Sequence, residues 1–453
     1  MQNEPTHPSA PASTALAPLI GPSIVDAAVH ACPYPYYEQL HAAPLHFDAR
    51  AGFWVCGDYE LMREILRNTD LFRSHGSQTI DGLRPPPEEA VRIRRTLLPM
   101  VDTLVTNDPP AHTRVRAMMD NPYKPKHVQA LASAVADIVN ETLDTCIDDY
   151  TRTGSCDFVH AFAIPVPIKV IADQLGIPRS MAGQIKLWSD ASVEPLGMMV
   201  SDTRLIECTK LQADFQRYFT DQLHARQQSP RADLLSHVAN VVDDHGNGFS
   251  LPEMLSITSQ LLVAGNETTT NAIAAGMRRL IEDPALLAQL RAAPELAGSF
   301  SDEVLRLEAP VQGLFRIVAR DTTVGGCALP AGARVMVHFG AANRDPRKFP
   351  CPADLNATRA NAGTHLAFGA GVHHCLGANL AREEMLQTFA ILPKRLHDLR
   401  FADGRNDFAH QPSMVLRGLQ HLFIEFSARQ DRAASSAASN AGQATTDTHK
   451  RTD

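Results

Sequence analysis

The chemistry is densest in Phe368-Gly369-Ala370-Gly371-Val372-His373-His374-Cys375-Leu376-Gly377, which precedes the helix-forming run ANLAREEMLQTFAIL. A cysteine at the mouth of a helix meets unpaired backbone N–H groups and the positive end of the macrodipole, and both favour thiolate over thiol. Such a sulfur is a strong anionic metal ligand. Gly369 and Gly371 let the backbone approach a flat cofactor and adopt positive φ, which residues bearing a Cβ resist. Phe368 can pack beside the sulfur and keep water off it. Alone, the string also fits a helix-capping loop around a buried cysteine, the usual fate of a lone Cys.

A second constellation lies upstream. Ser250-Leu251-Pro252-Glu253 is a capping box with Pro in the first turn, so a helix starts there and runs to about Glu282, where Asp283-Pro284 stops it. At the usual rise per residue it is about 45 to 50 Å long, enough to cross a domain, so its middle belongs in the core. That middle reads Leu261-Leu262-Val263-Ala264-Gly265-Asn266-Glu267-Thr268-Thr269-Thr270, polar where a core helix would continue with Leu and Ala. A Gly near a Thr can open the backbone ladder for water or a diatomic ligand. The same residues also fit a helix that turns a polar face to solvent.

Two charged sets complete the inventory. Glu303 and Arg306 stand at i and i+3 shortly before Pro310, and are followed by Asn343-Arg344-Asp345-Pro346, by Arg359 and by the cysteine loop. An isolated exposed pair of this kind contributes roughly 0 to 1 kcal/mol, so only the order along the chain gives it weight. His112 and Arg116, at i and i+4, can point at one anion together. Singly, each of these His and Arg residues is more often a surface side chain.

FGAGVHHCLG resembles the heme-binding signature of the cytochrome P450 superfamily of heme-thiolate monooxygenases, with every fixed position filled. The stretch A-G-x-E-T-T is similar to the family's acid-alcohol motif, and the ordered ExxR, Arg359 and cysteine loop resemble its C-terminal half. The resemblance implies heme b (iron protoporphyrin IX) with Cys375 as axial ligand, pushing electron density toward iron to favour O–O cleavage. It implies that His112, Arg116, Arg316 and His373 hold the propionates, and that Phe368 and Gly369 belong to the heme-binding loop. Thr268 then supports bound dioxygen and its protons, and Glu267 relays protons from solvent. Glu303, Arg306 and Arg359 become a buried triad, although Leu355-Asn356 replaces the family's common Phe-Asp. The substrate pocket is expected from Leu262, Val263, Ala264, Gly265, Val311, Leu314, Met414 and Val415, with the loop from Ser74 to Val105, and its apolar lining suggests a small hydrophobic substrate.

These parts need a large helical frame. Apolar spacing of 3.6 residues recurs in DYELMREILRN and HVQALASAVADIVNETLDTCIDDY, while LHF and FWV flank a turn, and TTVGGCAL and ARVMVHF read as a hairpin around Pro330-Ala331-Gly332. The expected class is mainly α with small β-sheets, the cytochrome P450 fold, as one heme domain over 23–426. The Pro, Ala and Ser-rich start, 1–22, and the end, 427–453, read as disordered tails.

Composition narrows the function. With 42 basic and 50 acidic side chains the net charge is -8, which gives no general attraction to nucleic acid. The eight cysteines show neither a CxxC pair nor disulfide-framework spacing, no Lys or Arg precedes Arg50 as a secretory signal would require, and no run of about 18 apolar residues offers a membrane anchor. A reducing cytoplasm fits. No nucleotide fingerprint and no cluster-binding cysteine set occur, so electrons are expected from a ferredoxin or flavodoxin with its NAD(P)H-dependent reductase. An acidic partner would be steered by Arg114, Lys124, Lys126, Arg344, Arg347, Lys348 and Arg382. Two other readings stand beside the monooxygenase: a peroxide-driven or isomerising heme-thiolate enzyme, which needs no Glu267-Thr268 pair, and a heme-binding sensor without turnover.

Overall fold

Ser250 closes both halves of its capping box with Glu253, and the helix it starts runs unbroken from Leu251 to Glu282, the longest element among the described residues. This is the central helix. The chain's structure is a computed structural model that describes residues 21–78, 85–197 and 200–428. Apart from Gly21, Pro22, Ser427 and Ala428, the expected tails lie outside the described residues, as do residues 79–84 of the Ser74 to Val105 loop.

Around the central helix pack the helices Pro165–Leu175, Ala182–Val193, Ala297–Glu308 and Ala378–Arg395. The last comes close enough that a Cβ on Gly276 would lie 2.3 Å from Phe389 Cζ, so a glycine is what allows this approach. Leu255, Ile273, Met277, Phe300, Phe389 and Leu392 form part of the resulting core. It also takes in the helix Ala132–Thr153, which Gly154 ends in the left-handed conformation at φ 66°.

Among the described residues ten strands form three small sheets. In the largest the order is β1 (His46–Asp48), β2 (Phe53–Cys56), β8 (Arg334–Val337), β5 (Leu314–Val318) and β3 (Phe72–Arg73), with only β2 and β8 parallel. The expected hairpin needs correction. β6 (Thr322–Val324) pairs with β7 (Cys327–Leu329) around Gly325 and Gly326, both at positive φ, and the ARVMV strand leaves to sit between β2 and β5. Two consecutive glycines supply the positive φ pair that a tight two-residue turn requires.

The third sheet orders β4 (Cys156–Asp157), β10 (Phe423–Ala428) and β9 (Leu396–Phe401). β10 continues to Ala428, two residues into the expected tail. Among the described residues no helix is long and apolar enough to cross a membrane.

Candidate heme site

Three separate stretches of chain carry the candidate site residues: the cysteine loop, the middle of the central helix, and the cluster around His112, which packs on the loop through His373. The cysteine loop closes on itself, Cys375 N donating to Phe368 O at 2.9 Å, and Gly377 stands as the N-cap of the Ala378–Arg395 helix. Gly371, at φ 72°, lies where a Cβ would be 2.6 Å from Leu66 O, so the loop packs directly on the backbone of the Tyr59–Arg67 helix. Burial pushes the Cys375 thiol up, opposed by the Gly377 N–H and the charges of Arg116 and Arg382. A bound cation is what tips such a sulfur fully to thiolate. Phe368 is held by Arg382, whose guanidinium sits 4.6 Å from the ring centroid and whose Nε donates to Asp302 at 2.9 Å.

His112, His373 and Arg316 converge. The two imidazole rings are 4.2 Å apart, and His373 Nε2 is 3.1 Å from Ser74 Oγ. Burial, with Arg316 and His112 adding to it, pushes His373 down to about 3. Arg316 is buried and pushed down to about 10 by that burial, with Asp108 opposing; its Nη1 donates to Phe315 O. Among the described residues it forms no ion pair, and the buried His112 Nδ1 has no hydrogen-bond partner. A buried guanidinium beside an orphaned imidazole nitrogen is a donor set suited to an anion, and the two carboxylates of a heme fit it. Arg116 stands elsewhere: its Nη1 donates to His374 O at 2.6 Å, and its Nε is 3.6 Å from Asp120.

The middle of the central helix shows an accessible face on an otherwise buried element. Asn266, Glu267, Thr269 and Thr270 are buried, yet Ala264 is exposed and Val263, Gly265 and Thr268 are half-buried, in the middle of a core helix. An accessible face there means open space beside it, which suits a flat cofactor. Leu262 departs from the expected pocket. It is buried in the main core, because two residues before Ala264 lies about 200° round the helix. The expected opening of the ladder at Gly265 does not occur: the helix stays α throughout, and Thr268 Oγ1 donates to Ala264 O at 2.9 Å.

Glu267 is tied down from the Ala182–Val193 helix. Its Oε1 accepts from Lys186 Nζ at 3.1 Å, from Ser189 Oγ at 3.3 Å and from Asn266 Nδ2 at 3.4 Å. Lys186 also pairs with Asp190. Burial opposes the ammonium charge, but Glu267 and Asp190 hold Lys186 above its ordinary value. Asp190 is pushed up to about 6, mainly by burial and then by Glu267, against the pull of Lys186. Sequence reasoning missed this set; the local signal was a Lys and an Asp at i and i+4 in an otherwise uncharged helix.

Glu303, Arg306 and Arg359 meet in the interior. Arg306 donates twice to Glu303, at 2.5 and 3.0 Å, with both side chains at 0 % exposure, and Arg359 Nε donates to Glu303 Oε2 at 3.0 Å. Glu303 stays below its usual value although burial pushes it up, because these two guanidiniums and the Asn356 N–H hold the charge. Asn356 contributes there through its backbone, which any residue but proline supplies. The remaining guanidinium N–H groups of Arg306 reach the carbonyls of Asn343, Pro352 and Asp354.

The two other pocket segments also come together: Gln312 N donates to Val415 O at 2.7 Å and Val311 bridges to Leu416. Val311 and Leu314 are half-buried, Met414 and Val415 buried. The expected basic surface loses three members, the first being Arg347, which is held by Asp58 and Asp345. Arg344 is buried, donating to Leu307 O with its guanidinium 4.2 Å from the Tyr34 ring centroid, and Arg114 is claimed by Asp243 and Glu253. Lys124 and Lys126 are exposed.

A helical frame that carries a buried Glu303, Arg306 and Arg359 triad, a glycine-lined cysteine loop and an anion-seeking cluster against that loop is the arrangement expected of a heme-thiolate protein. The family model described as Cytochrome P450 matches residues 295–403. The chain is 30 % identical to cytochrome P450 monooxygenase PikC of Streptomyces venezuelae, over 91 % of its own length and 96 % of that relative's. It is 34 % identical to 6-deoxyerythronolide B hydroxylase of Saccharopolyspora erythraea, over 70 % and 76 %. CYP109E1 from Bacillus megaterium, solved in complex with testosterone, superposes with a TM-score of 0.74 at 30 % identity, covering 87 % of this chain and 98 % of that one. The chain belongs to the cytochrome P450 family, adopts its fold and is a monooxygenase that binds heme b.

Proposed function

We propose that this enzyme hydroxylates a small hydrophobic organic compound, using dioxygen and electrons from a separate ferredoxin or flavodoxin served by an NAD(P)H-dependent reductase. The observation that carries the reading is the accessible Ala264 and Thr268 face on a buried helix, backed by a carboxylate, Glu267, that is tethered to an outer lysine. Heme b, when bound, supplies the iron at which dioxygen is reduced and cleaved.

The chain's own residues do the rest. Cys375 provides an anionic sulfur from the glycine-lined loop, and Phe368 shields it. Arg316, His112 and His373 hold the carboxylates, with Arg116 steadying the cysteine loop through the His374 carbonyl. Thr268, its hydroxyl proton donated to Ala264 O, offers the oxygen's lone pairs to the open space as an acceptor, and Glu267 resupplies protons through Lys186 and Asp190. Val263, Ala264, Val311, Leu314, Met414 and Val415 present the apolar wall, which favours substrates without charge. Lys124, Lys126, Lys348 and Arg382 are the basic groups for an acidic electron donor.

Thr268→Ala tests the reading: heme and substrate binding persist while reducing equivalents leak into peroxide. Full coupling in that variant overturns the role. Cys375→Ala should lose the thiolate-type spectrum of the reduced carbon-monoxide complex. A screen for substrate-induced Soret shifts among hydrophobic compounds identifies the target class.

A further inference from the structure

Far along the chain from the heme site, three Lewis-base side chains from three segments converge on one point. Asp157 ends β4, His160 lies in the π-helical turn Val159–Ala163, and His421 stands just ahead of β10. Asp157 Oδ2 is 2.9 Å from His160 Nδ1 and 2.6 Å from His421 Nδ1, and the ligand atoms all lie within 4.8 Å of one another. The carboxylate is aimed by backbone: its other oxygen, Oδ1, accepts from Leu422 N at 3.1 Å and from Val159 N at 3.2 Å. The imidazole rings lie side by side, centroids 5.1 Å apart at 27°, and their side chains are 56 % and 51 % exposed.

We propose that Asp157, His160 and His421 form a surface site for a late first-row divalent cation such as Zn2+, with water completing the coordination. Two imidazoles and one carboxylate select that class over Mg2+ and Ca2+, which require oxygen ligands. Metal–ligand bonds of about 2.0 to 2.2 Å in tetrahedral geometry need ligand atoms roughly 3.3 Å apart. The two Asp157 separations, 2.9 and 2.6 Å, therefore need to widen to roughly 3.3 Å, which two half-exposed histidine side chains can supply by rotation. The two Leu422 and Val159 N–H groups meanwhile fix the carboxylate from behind, as outer-shell donors do in built metal sites.

The site clips the π-helical turn to the third sheet. That turn is in turn fastened to the central helix, since Thr270 Oγ1 donates to Ala163 O at 3.2 Å. A bound cation therefore stiffens the support of the central helix two residues beyond Thr268.

The test is isothermal titration of the heme-loaded full chain, free of added histidines, with Zn2+ in excess Mg2+, repeated on Asp157→Asn, His160→Ala and His421→Ala. The expected result is one saturable equivalent that each substitution weakens by about tenfold or more. His75→Ala, at an exposed His75 and Asp102 pair elsewhere, should leave it unchanged. Thermal midpoints should rise with Zn2+ in the parent and not in the three variants. Unaltered stoichiometry and affinity in the variants, or no saturable equivalent in the parent, overturns the proposal.

Discussion

Lys186 Nζ stands 3.1 Å from Glu267 Oε1 and also pairs with Asp190, so one ammonium is shared between two buried or half-buried carboxylates on different helices. Replacing Lys186 with Met leaves those carboxylates facing each other without a counter-charge, and one of them must then hold a proton. On the proposed role of Glu267, proton resupply slows accordingly. We expect Lys186→Met to keep the Soret spectrum and substrate-induced shift while product formed per reducing equivalent falls by about tenfold or more. Simultaneous measurement of product, NAD(P)H and peroxide checks this, and full coupling contradicts it.

Glu303 and Arg306 are both fully buried and joined by two hydrogen bonds, with Arg359 on the same carboxylate. Arg306→Leu removes the partner that offsets most of the burial of Glu303 and also frees the carbonyls of Asn343, Pro352 and Asp354. Stranding a buried charge costs about 3 to 5 kcal/mol, a large share of the stability of a folded domain. The expected outcome is poor heme retention and a sharply lowered thermal midpoint. Arg306→Leu combined with Glu303→Leu should recover part of it, because no charge is then left alone.

What the sequence made legible was local. Ser250, Glu253 and Asp283-Pro284 set both ends of the central helix by short-range hydrogen bonds and steric exclusion, and the cysteine loop's string carried its own turn. Pairings between distant segments were not legible. Arg344 looked like a surface cation because nothing nearby in the chain foretells Tyr34 stacking on it, and Arg114 finds Asp243 and Glu253 only through the fold. The ARVMV strand chose β2 and β5 over its neighbour β7 because a central place between two strands buries Val335, Met336 and Val337 completely. Arg116 could reach either the His112 and Arg316 cluster or the loop by spacing alone, and the His374 carbonyl takes it.

His338 is buried against the Tyr37 ring, 5.1 Å between centroids, and its Nδ1 accepts from Ala341 N. Burial pushes it down to about 4, with His41 adding a smaller push. The folded protein thus holds this imidazole neutral while the unfolded chain protonates it near its ordinary value of 6.5. As pH falls through 6.5 toward 4 the unfolded state binds more protons, so stability is lost on acidification and is constant above that window. The loss attributable to this group is about 2 kcal/mol at pH 5. His338→Asn keeps a side-chain acceptor for the Ala341 N–H and removes the titration. The difference in urea midpoint between pH 7.5 and pH 5 should shrink in that variant; an identical pH dependence excludes His338 as its source.

Gly276 lets the central helix lie against Phe389 of the helix that follows the cysteine loop, where an added Cβ would be 2.3 Å from the ring's Cζ and 3.0 Å from both neighbouring ring carbons. Phe389 is fully buried and edge-on to Phe300, 4.8 Å between centroids, so its ring has nowhere to withdraw. Gly276→Ala should therefore destabilise by about 1 to 3 kcal/mol through overpacking, although alanine is the better helix former by about 1 kcal/mol. Phe389→Leu alone leaves a cavity and also destabilises. Together the two changes compensate, the methyl of one filling part of the space vacated by the other, and a coupling energy of about 1 kcal/mol or more is expected between them. Purely additive losses in a thermal double-mutant cycle would show that the two helices do not meet as closely as these atoms imply.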